Sequence, residues 1–220
     1  MNRVTFLPLT LYLYFAGLSC FVFSLAAACV VPAMASTTDA ELLRPNKTIE
    51  EVVDAIRKTV QESEGKLTPE VIDDKLRELI SPVFDFKSMA RSSLAQNWQK
   101  ATPEQQTEYV ELFSDLLAQT YLKRIRDNIA SSEFNLVEER IKGKKAIVRT
   151  KVNYDEDQTA AIDYRMRLKK SNWLVYDVIV ENIGLVSNYR SEFAGIVKKE
   201  KIEGLLVRLR EKKAGDKEPK

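Results

Sequence analysis

Residues 145–180 read KAIVRTKVNYDEDQTAAIDYRMRLKKSNWLVYDVIV, and the alternation within this stretch decides the fold. Ala146, Val148, Thr150, Val152 and Tyr154 fall on one side of an extended chain, with Ile147, Arg149, Lys151 and Asn153 on the other. Ala160, Ile162, Tyr164, Met166 and Leu168 repeat the pattern against Ala161, Asp163, Arg165, Arg167 and Lys169. A period of two residues belongs to strands with one covered face. The links Asp155 to Gln158 and Lys170 to Asn172 are short and polar, so consecutive strands pair as antiparallel hairpins. From Trp173 to Val180 the run is apolar on both sides. Leu174, Tyr176, Val178 and Val180 share one side and Trp173, Val175 and Ile179 the other, which makes this the most covered strand. A first strand around Phe134 to Ile141, joined through Lys142 to Lys145, completes a meander of about four.

Upstream the period is helical. Thr48 precedes Ile49-Glu50-Glu51, Thr68 precedes Pro69, and Thr102 precedes Pro103-Glu104-Gln105. The first and third of these read as capping boxes, and the last two put proline at the first helical position. The first helix carries an apolar stripe of Ile49, Val52, Val53, Ile56 and Val60, and the second one of Val71, Ile72, Leu76, Leu79 and Ile80. A third helix is expected from Phe86 to about Trp98, capped by Asp85, with Phe86, Met89, Ala90, Leu94 and Trp98 on one side. The fourth and longest runs from Pro103 to about Asn128, and its stripe of Tyr109, Phe113, Leu116, Leu117, Thr120 and Tyr121 is rich in aromatic rings. After the sheet, Tyr189 to Lys199 and Ile202 to Glu211 read as short helices folding back. The expected fold is α+β, with helices packed on one face of a curved antiparallel sheet of about four strands and enclosing an apolar pocket.

The first three dozen residues stand apart. After Arg3 no charge occurs until Asp39, and the apolar run from Val4 to Val31 closes on Pro32 and Ala33-Met34-Ala35. A positive start, an apolar run and a small-x-small site in that order read as a secretory signal peptide over residues 1–35, cut after Ala35. The same run is also long enough to span a bilayer as an uncleaved anchor. A lipid attachment through Cys29 fits poorly, because the large aliphatic residue stands one place too early. Residues 36–211 are expected to form one domain, followed by a charged, flexible tail at 212–220.

Composition removes whole classes of chemistry. There is no histidine, so Ser-His-Asp and Cys-His catalysis and histidine-ligated metals are excluded. Both cysteines, Cys20 and Cys29, lie in the removed segment, which leaves the mature chain neither thiol nor disulfide. Seven scattered glycines make no phosphate loop. A formal charge of +2, or +1 without Arg3, is too balanced for a nucleic-acid partner. No catalytic group, metal or cofactor is called for.

Particular residues narrow the field further. Pro82-Val83-Phe84-Asp85-Phe86, Leu94 to Trp98, Ala101-Thr102-Pro103-Glu104-Gln105 and Phe113 form one block. Trp173, Tyr176-Asp177-Val178, Glu181, Leu185-Val186, Asn188-Tyr189-Arg190 and Phe193 form another. Together they resemble the MlaC family, also called toluene-tolerance auxiliary proteins, over roughly Thr48 to Glu211. Two positions depart from that pattern. Ala95 stands where the family usually has Gly, and Glu181-Asn182-Ile183-Gly184 replaces a Glu-Gly-Val-Ser run.

The resemblance implies a non-enzymatic periplasmic carrier that holds a phospholipid by its acyl chains. Its implied partners are an outer-membrane lipoprotein–porin complex and an inner-membrane Mla-type ABC transporter, and the implied role is maintenance of outer-membrane lipid asymmetry. The tail-facing positions expected on this basis are Met89, Phe113, Leu117, Tyr121, Val148, Val152, Tyr164, Met166, Tyr176 and Val178. Tyr189 and Arg190 are expected nearer the mouth, with Arg190 facing a phosphate. The apolar side chains among these are also explained as ordinary core packing, and Arg190 as one member of a plain surface ion pair. Two other classes stay open: a ligand-free structural or adaptor subunit of the envelope, and an enzyme built on the pair Asp177 and Glu181. Arg149, Lys151, Arg165, Arg167 and Lys169 share the polar sheet face, either as a docking surface or as a solvated face.

Overall fold

A computed structural model of the chain describes residues 44–155 and 158–215, the side chains at 154 and 155 excepted. The expected signal segment, residues 1–35, lies outside the described residues. Helices come first: α1 (Pro45–Ser63), α2 (Pro69–Ile80), α3 (Phe86–Leu94) with a 3-10 turn (Ala95–Lys100) after it, and α4 (Pro103–Asn128). The helices α1, α2 and α4 all open on proline, whose fixed φ suits the first turn and whose missing N–H has no partner there anyway. At α4 the capping box is complete. The Thr102 hydroxyl accepts from the Gln105 N–H at 3.2 Å, and the Gln105 side-chain oxygen accepts from the Thr102 N–H at 3.2 Å. At α1 the start differs from the expectation. Pro45 opens the helix one turn early, so Thr48 sits inside the first turn and donates its hydroxyl to the Arg44 carbonyl at 3.3 Å.

The third helix also ends sooner than its apolar spacing suggests. It stops at Leu94 because Ala95 takes φ +50°, ψ −122°. The chain then tightens into the 3-10 turn and delivers Trp98 to the core. Asp85 caps α3: its carboxylate accepts from the Ser88 N–H at 3.1 Å and the Ser88 hydroxyl at 2.7 Å, and pairs with Lys169 Nζ at 2.6 Å.

The sheet is open and antiparallel, in the order β1 (Glu133–Lys142), β2 (Lys145–Asp155), β3 (Gln158–Lys169), β4 (Asn172–Val180), β5 (Ile183–Gly184). The four expected strands are present. The two-residue β5 is added by a tight turn in which Glu181 and Asn182 both take left-handed φ, the geometry that matches strand twist in two-residue hairpins. Register shifts at Leu136/Glu138, Asn153/Asp155 and Arg165/Met166 mark bulges, which bend and twist the strands. The free edge of β4 is covered in two pieces. β5 pairs with Ile179 and Val180, while Val83 to Asp85 bridge Val175 through backbone bonds of 2.8 and 2.9 Å.

After β5 comes α5 (Leu185–Gly215), broken at Lys201, where φ is +64°. Two segments were expected here, and the break separates them. Because α5 continues to Gly215, the first four residues of the expected tail are helical; residues 216–220 lie outside the described residues.

The inner side holds three apolar clusters. One joins α3, the 3-10 turn, α4 and α5. A second packs Ile49 and Val53 of α1 onto Ala146, Val148, Met166, Trp173 and Val175 of the sheet. A third fills the space between α1, α2 and α4 around Leu76.

Two consequences are open to measurement. A non-glycine residue at the Ala95 geometry stores roughly 1–3 kcal/mol of backbone strain. Ala95→Gly should therefore stabilise the protein by about 1 kcal/mol in denaturant unfolding, part of the relief being offset by the greater freedom of glycine in the unfolded chain. The second concerns Asp85. Burial pushes its carboxyl up, but hydrogen bonds from Lys169 and Ser88 outweigh that and leave it below the usual carboxylate range. A lowered folded-state value stabilises the fold above the ordinary carboxylate range, and this contribution is lost as pH falls through the lowered value. Asp85→Ala should cost about 1–2 kcal/mol at neutral pH. Asp85→Asn, which keeps a cap but loses the charge, should cost less and flatten the stability profile on the acid side.

Candidate functional site

The second half of α4 does not rest on the sheet. Between them, closed at the back by α1 and the start of α3, lies a hollow of about 590 Å³. Its walls are aliphatic and aromatic. Ile49, Val52, Val53 and Ile56 come from α1, Leu117, Ala118, Tyr121, Leu122 and Ile125 from α4, and Phe84, Phe86 and Met89 from around α3. The sheet supplies Phe134, Val152, Ala160, Ile162, Tyr164, Val178 and Val180. The volume falls within the roughly 300–1,000 Å³ of small-molecule sites.

Position along each element decides whether a residue packs or faces the hollow. On α4, Tyr109, Leu112, Phe113 and Leu116 are buried in solid core, whereas Leu117, Ala118, Tyr121, Leu122, Arg124, Ile125 and Asn128 border the hollow. On the sheet, Ala146, Val148, Met166 and Val175 lie under α1, and the hollow begins at Tyr164 and continues through Ile162, Ala160 and Val152. Tyr164 sits at the boundary. Its ring lines the hollow, and burial pushes its hydroxyl up to about 12, against a hydrogen bond with Thr150 that lowers it. Polar lining is confined to Arg77, Ser81, Ser114, Arg124, Asn128 and Ser132. Arg77 is held by Asp115 at 2.8 Å.

Of the residues nominated from sequence, Met89, Leu117, Tyr121, Val152, Tyr164 and Val178 come together around the hollow. The others go elsewhere. Phe113 stacks on Tyr109 at 5.8 Å and meets Tyr189 edge-on at 5.5 Å, so both Phe113 and Tyr189 serve the α4–α5 core and not a mouth. Val148 and Met166 are fully buried beneath α1. Tyr176 lies on the outer face, where Arg167 sits 5.0 Å above its ring. The cause is the bulge opposite Arg165/Met166, which leaves Tyr176 unpaired and switches the strand's inner side from Trp173 and Val175 to Val178 and Val180. Arg190 faces no opening: its guanidinium donates to the Ser92 carbonyl at 2.9 Å, tying α5 to α3.

The nominated acid pair also fails to meet at the hollow. Asp177 accepts from the Val186 N–H at 3.1 Å and pairs with Arg165 at 3.3 Å, while Glu181 accepts from the Ala161 N–H. Neither lines the hollow, and no Asp or Glu does so among the described residues. Among those residues there is likewise no group of three or more acids that gathers as a metal site, and no helix long and apolar enough to cross a membrane.

Some lining residues were missed. Ala160 and Ile162 share the alternating row of Tyr164, so the period of two could have found them. The α1 stripe is apolar in the sequence, but nothing in it says that Val52 and Ile56 face a space and not a neighbour. Phe134 and Val180 stood at strand ends, where no spacing distinguishes rim from core.

The family model "MlaC protein" matches residues 46–211. A toluene tolerance protein, ttg2D of Pseudomonas putida, is 27% identical over 130 residues, 59% of this chain and 60% of that protein. The intermembrane phospholipid transport system binding protein MlaC of Haemophilus influenzae is 18% identical over 174 residues, 76% of this chain and 81% of that one. The chain thus spans less than two thirds of the first relative and about four fifths of the second. Among solved structures, a phospholipid-binding protein from Ralstonia solanacearum, in complex with a phospholipid, superimposes with a TM-score of 0.68 at 26% identity. That match covers 78% of this chain and 98% of the other. Since the family model takes in most of the chain, from residue 46 to residue 211, the protein belongs to the MlaC family.

Proposed function

We propose that this protein is a phospholipid carrier that shelters acyl chains in the hollow between α4 and the sheet. The observation that supports it best is the hollow itself: space of this size walled by aliphatic and aromatic side chains, in a family member whose structural neighbour from Ralstonia is a phospholipid complex. A two-chain lipid has on the order of 30 methylenes, and at about 0.8 kcal/mol each their exposure to water costs more than 20 kcal/mol. Passage between two membranes therefore needs a vessel, and the vessel needs no reactive group.

The further steps belong to the same proposal. Residues 1–35 direct the chain through the inner membrane and are removed after Ala35, leaving the carrier in the periplasm. There it exchanges lipid with an outer-membrane lipoprotein–porin complex and an inner-membrane Mla-type ABC transporter, and so helps to maintain lipid asymmetry. A ligand-free adaptor would have no use for an apolar hollow of this kind.

Organic extraction of the purified protein followed by mass spectrometry tests the proposal. Phospholipid near one molecule per chain is expected, and a clean extract would overturn it. Ala160→Phe, which fills the hollow, and Val178→Asp, which puts a charge on its wall, should each lower lipid recovery at least tenfold, since the loss of two buried methylenes alone is worth about 1.6 kcal/mol. Stripping the lipid should lower the melting temperature by about 5 °C or more, the usual consequence of removing a ligand bound well above its dissociation constant.

A further inference from the structure

Nearly every arginine among the described residues has a partner for its guanidinium. Arg57, Arg77, Arg126, Arg140, Arg149, Arg165, Arg208 and Arg210 pair with carboxylates, Arg167 lies over Tyr176, Arg190 bonds Ser92, and Arg44 pairs with Glu139. Two remain, Arg91 and Arg124, whose side chains have no hydrogen-bond, ion-pair or ring partner among the described residues. Arg91 is exposed on α3, away from the hollow. Arg124 lines it.

The place of Arg124 on α4 gives it a direction. Leu117, Tyr121, Arg124 and Asn128 are spaced four, three and four residues apart, so they form one row along the helix. Their exposure rises along that row: Leu117 is buried, Tyr121 half-buried, and Arg124 and Asn128 exposed. Across the hollow, Val180 at the end of β4 is 37% exposed although it lines the space, whereas Ile162 and Tyr164 are half-buried and Ala160 is buried. Arg124, Asn128 and Val180 are thus lining residues that also meet solvent. Arg77, the other lining arginine, is already neutralised by Asp115, which Lys213 also contacts at 2.6 Å. Arg124 is thus the one lining cation without a counter-charge among the described residues.

We propose that Arg124 is the headgroup contact of the site, holding the phosphate of a phospholipid whose chains occupy the hollow. The inference rests on the carrier function above and adds a chemical selectivity to it. A guanidinium presents parallel N–H donors that match phosphate oxygens two at a time. The chains supply most of the transfer free energy and are the same in a phospholipid and a diacylglycerol. Discrimination between the two therefore falls to the rim, where the apolar wall beside Arg124 excludes part of the competing water.

The test loads lipid-stripped protein from phosphatidylglycerol vesicles containing a minor fraction of diacylglycerol with the same chains, and then measures both lipids by extraction and mass spectrometry. Wild type should be enriched in the phospholipid. Arg124→Gln should lower the phospholipid-to-diacylglycerol ratio about fivefold, the scale of a charge-assisted contact discounted for solvent exposure. Arg124→Lys should fall between the two, and Arg91→Gln should match wild type. An unchanged ratio in Arg124→Gln overturns the headgroup contact and leaves the carrier function standing. Failure of wild type itself to load lipid overturns both. Titration with inorganic phosphate alone distinguishes the source of the phosphate, and saturable binding that depends on Arg124 in the absence of lipid would make this a free-phosphate site and overturn the proposal.

Discussion

Tyr109, Phe113, Tyr189 and Phe193 lock the first half of α4 to the first half of α5, through ring contacts between 5.3 and 6.3 Å. Edge-to-face and offset rings at these distances each add about 0.5–1.5 kcal/mol beyond their buried area, and the Tyr109 hydroxyl is matched to Ser93 at 2.7 Å inside the same core. The clamp acts on only one half of a helix of 26 residues. The other half extends about 20 Å further at 1.5 Å per residue, held above the sheet by its packing on α1 and α2. A hollow persists beneath it because the helix cannot sink onto the strands without tearing its clamped half from α5.

Holding that space open has an energetic consequence. At roughly 24 cal/mol per Å³, the figure for cavities left in solid cores, 590 Å³ would correspond to about 14 kcal/mol, as much as the whole stability of an ordinary domain. A sealed, empty void of that size would not survive in a single domain without disulfides. An opening to solvent at Arg124 and Val180, and an occupant that restores the missing contacts, turn the same space from a defect into a binding site. The polar lining fits this view, since it is sparse and partly spent on the protein's own groups.

The outer face of the sheet behaves differently. Arg149 is paired with Glu138 and Asp163, Arg165 with Asp177, and Lys169 with Asp85, while Arg167 covers Tyr176. The more exposed pairs, those of Arg149, contribute about 0–1 kcal/mol each, so they do more to hold strand neighbours in register and discourage edge pairing than to stabilise the fold. Asp177, once the candidate for proton chemistry, has a structural task here: it receives the Val186 N–H at the start of α5.

What the sequence determined by itself was everything governed by local periodicity and local hydrogen bonding. The alternation over 145–180 specified the hairpins, and Thr102 with Gln105 specified the start of α4, because strand period and capping chemistry act over a few neighbouring residues. Individual residues of the two blocks around Phe84 and Tyr176 were enough to point to the family. Only the tertiary structure decided which apolar residues pack and which line a space. Phe113 and Leu117 lie one helical turn apart on the same face, and Val148 and Val152 lie on the same side of one strand, yet one of each pair is core and the other wall. That difference depends on where α1 and α5 come to rest, a long-range outcome that no local pattern encodes. Tyr176 shows the same limit at a single bulge: one unpaired residue in β4 reversed the strand's faces, and parity counted along the chain had no means of registering it.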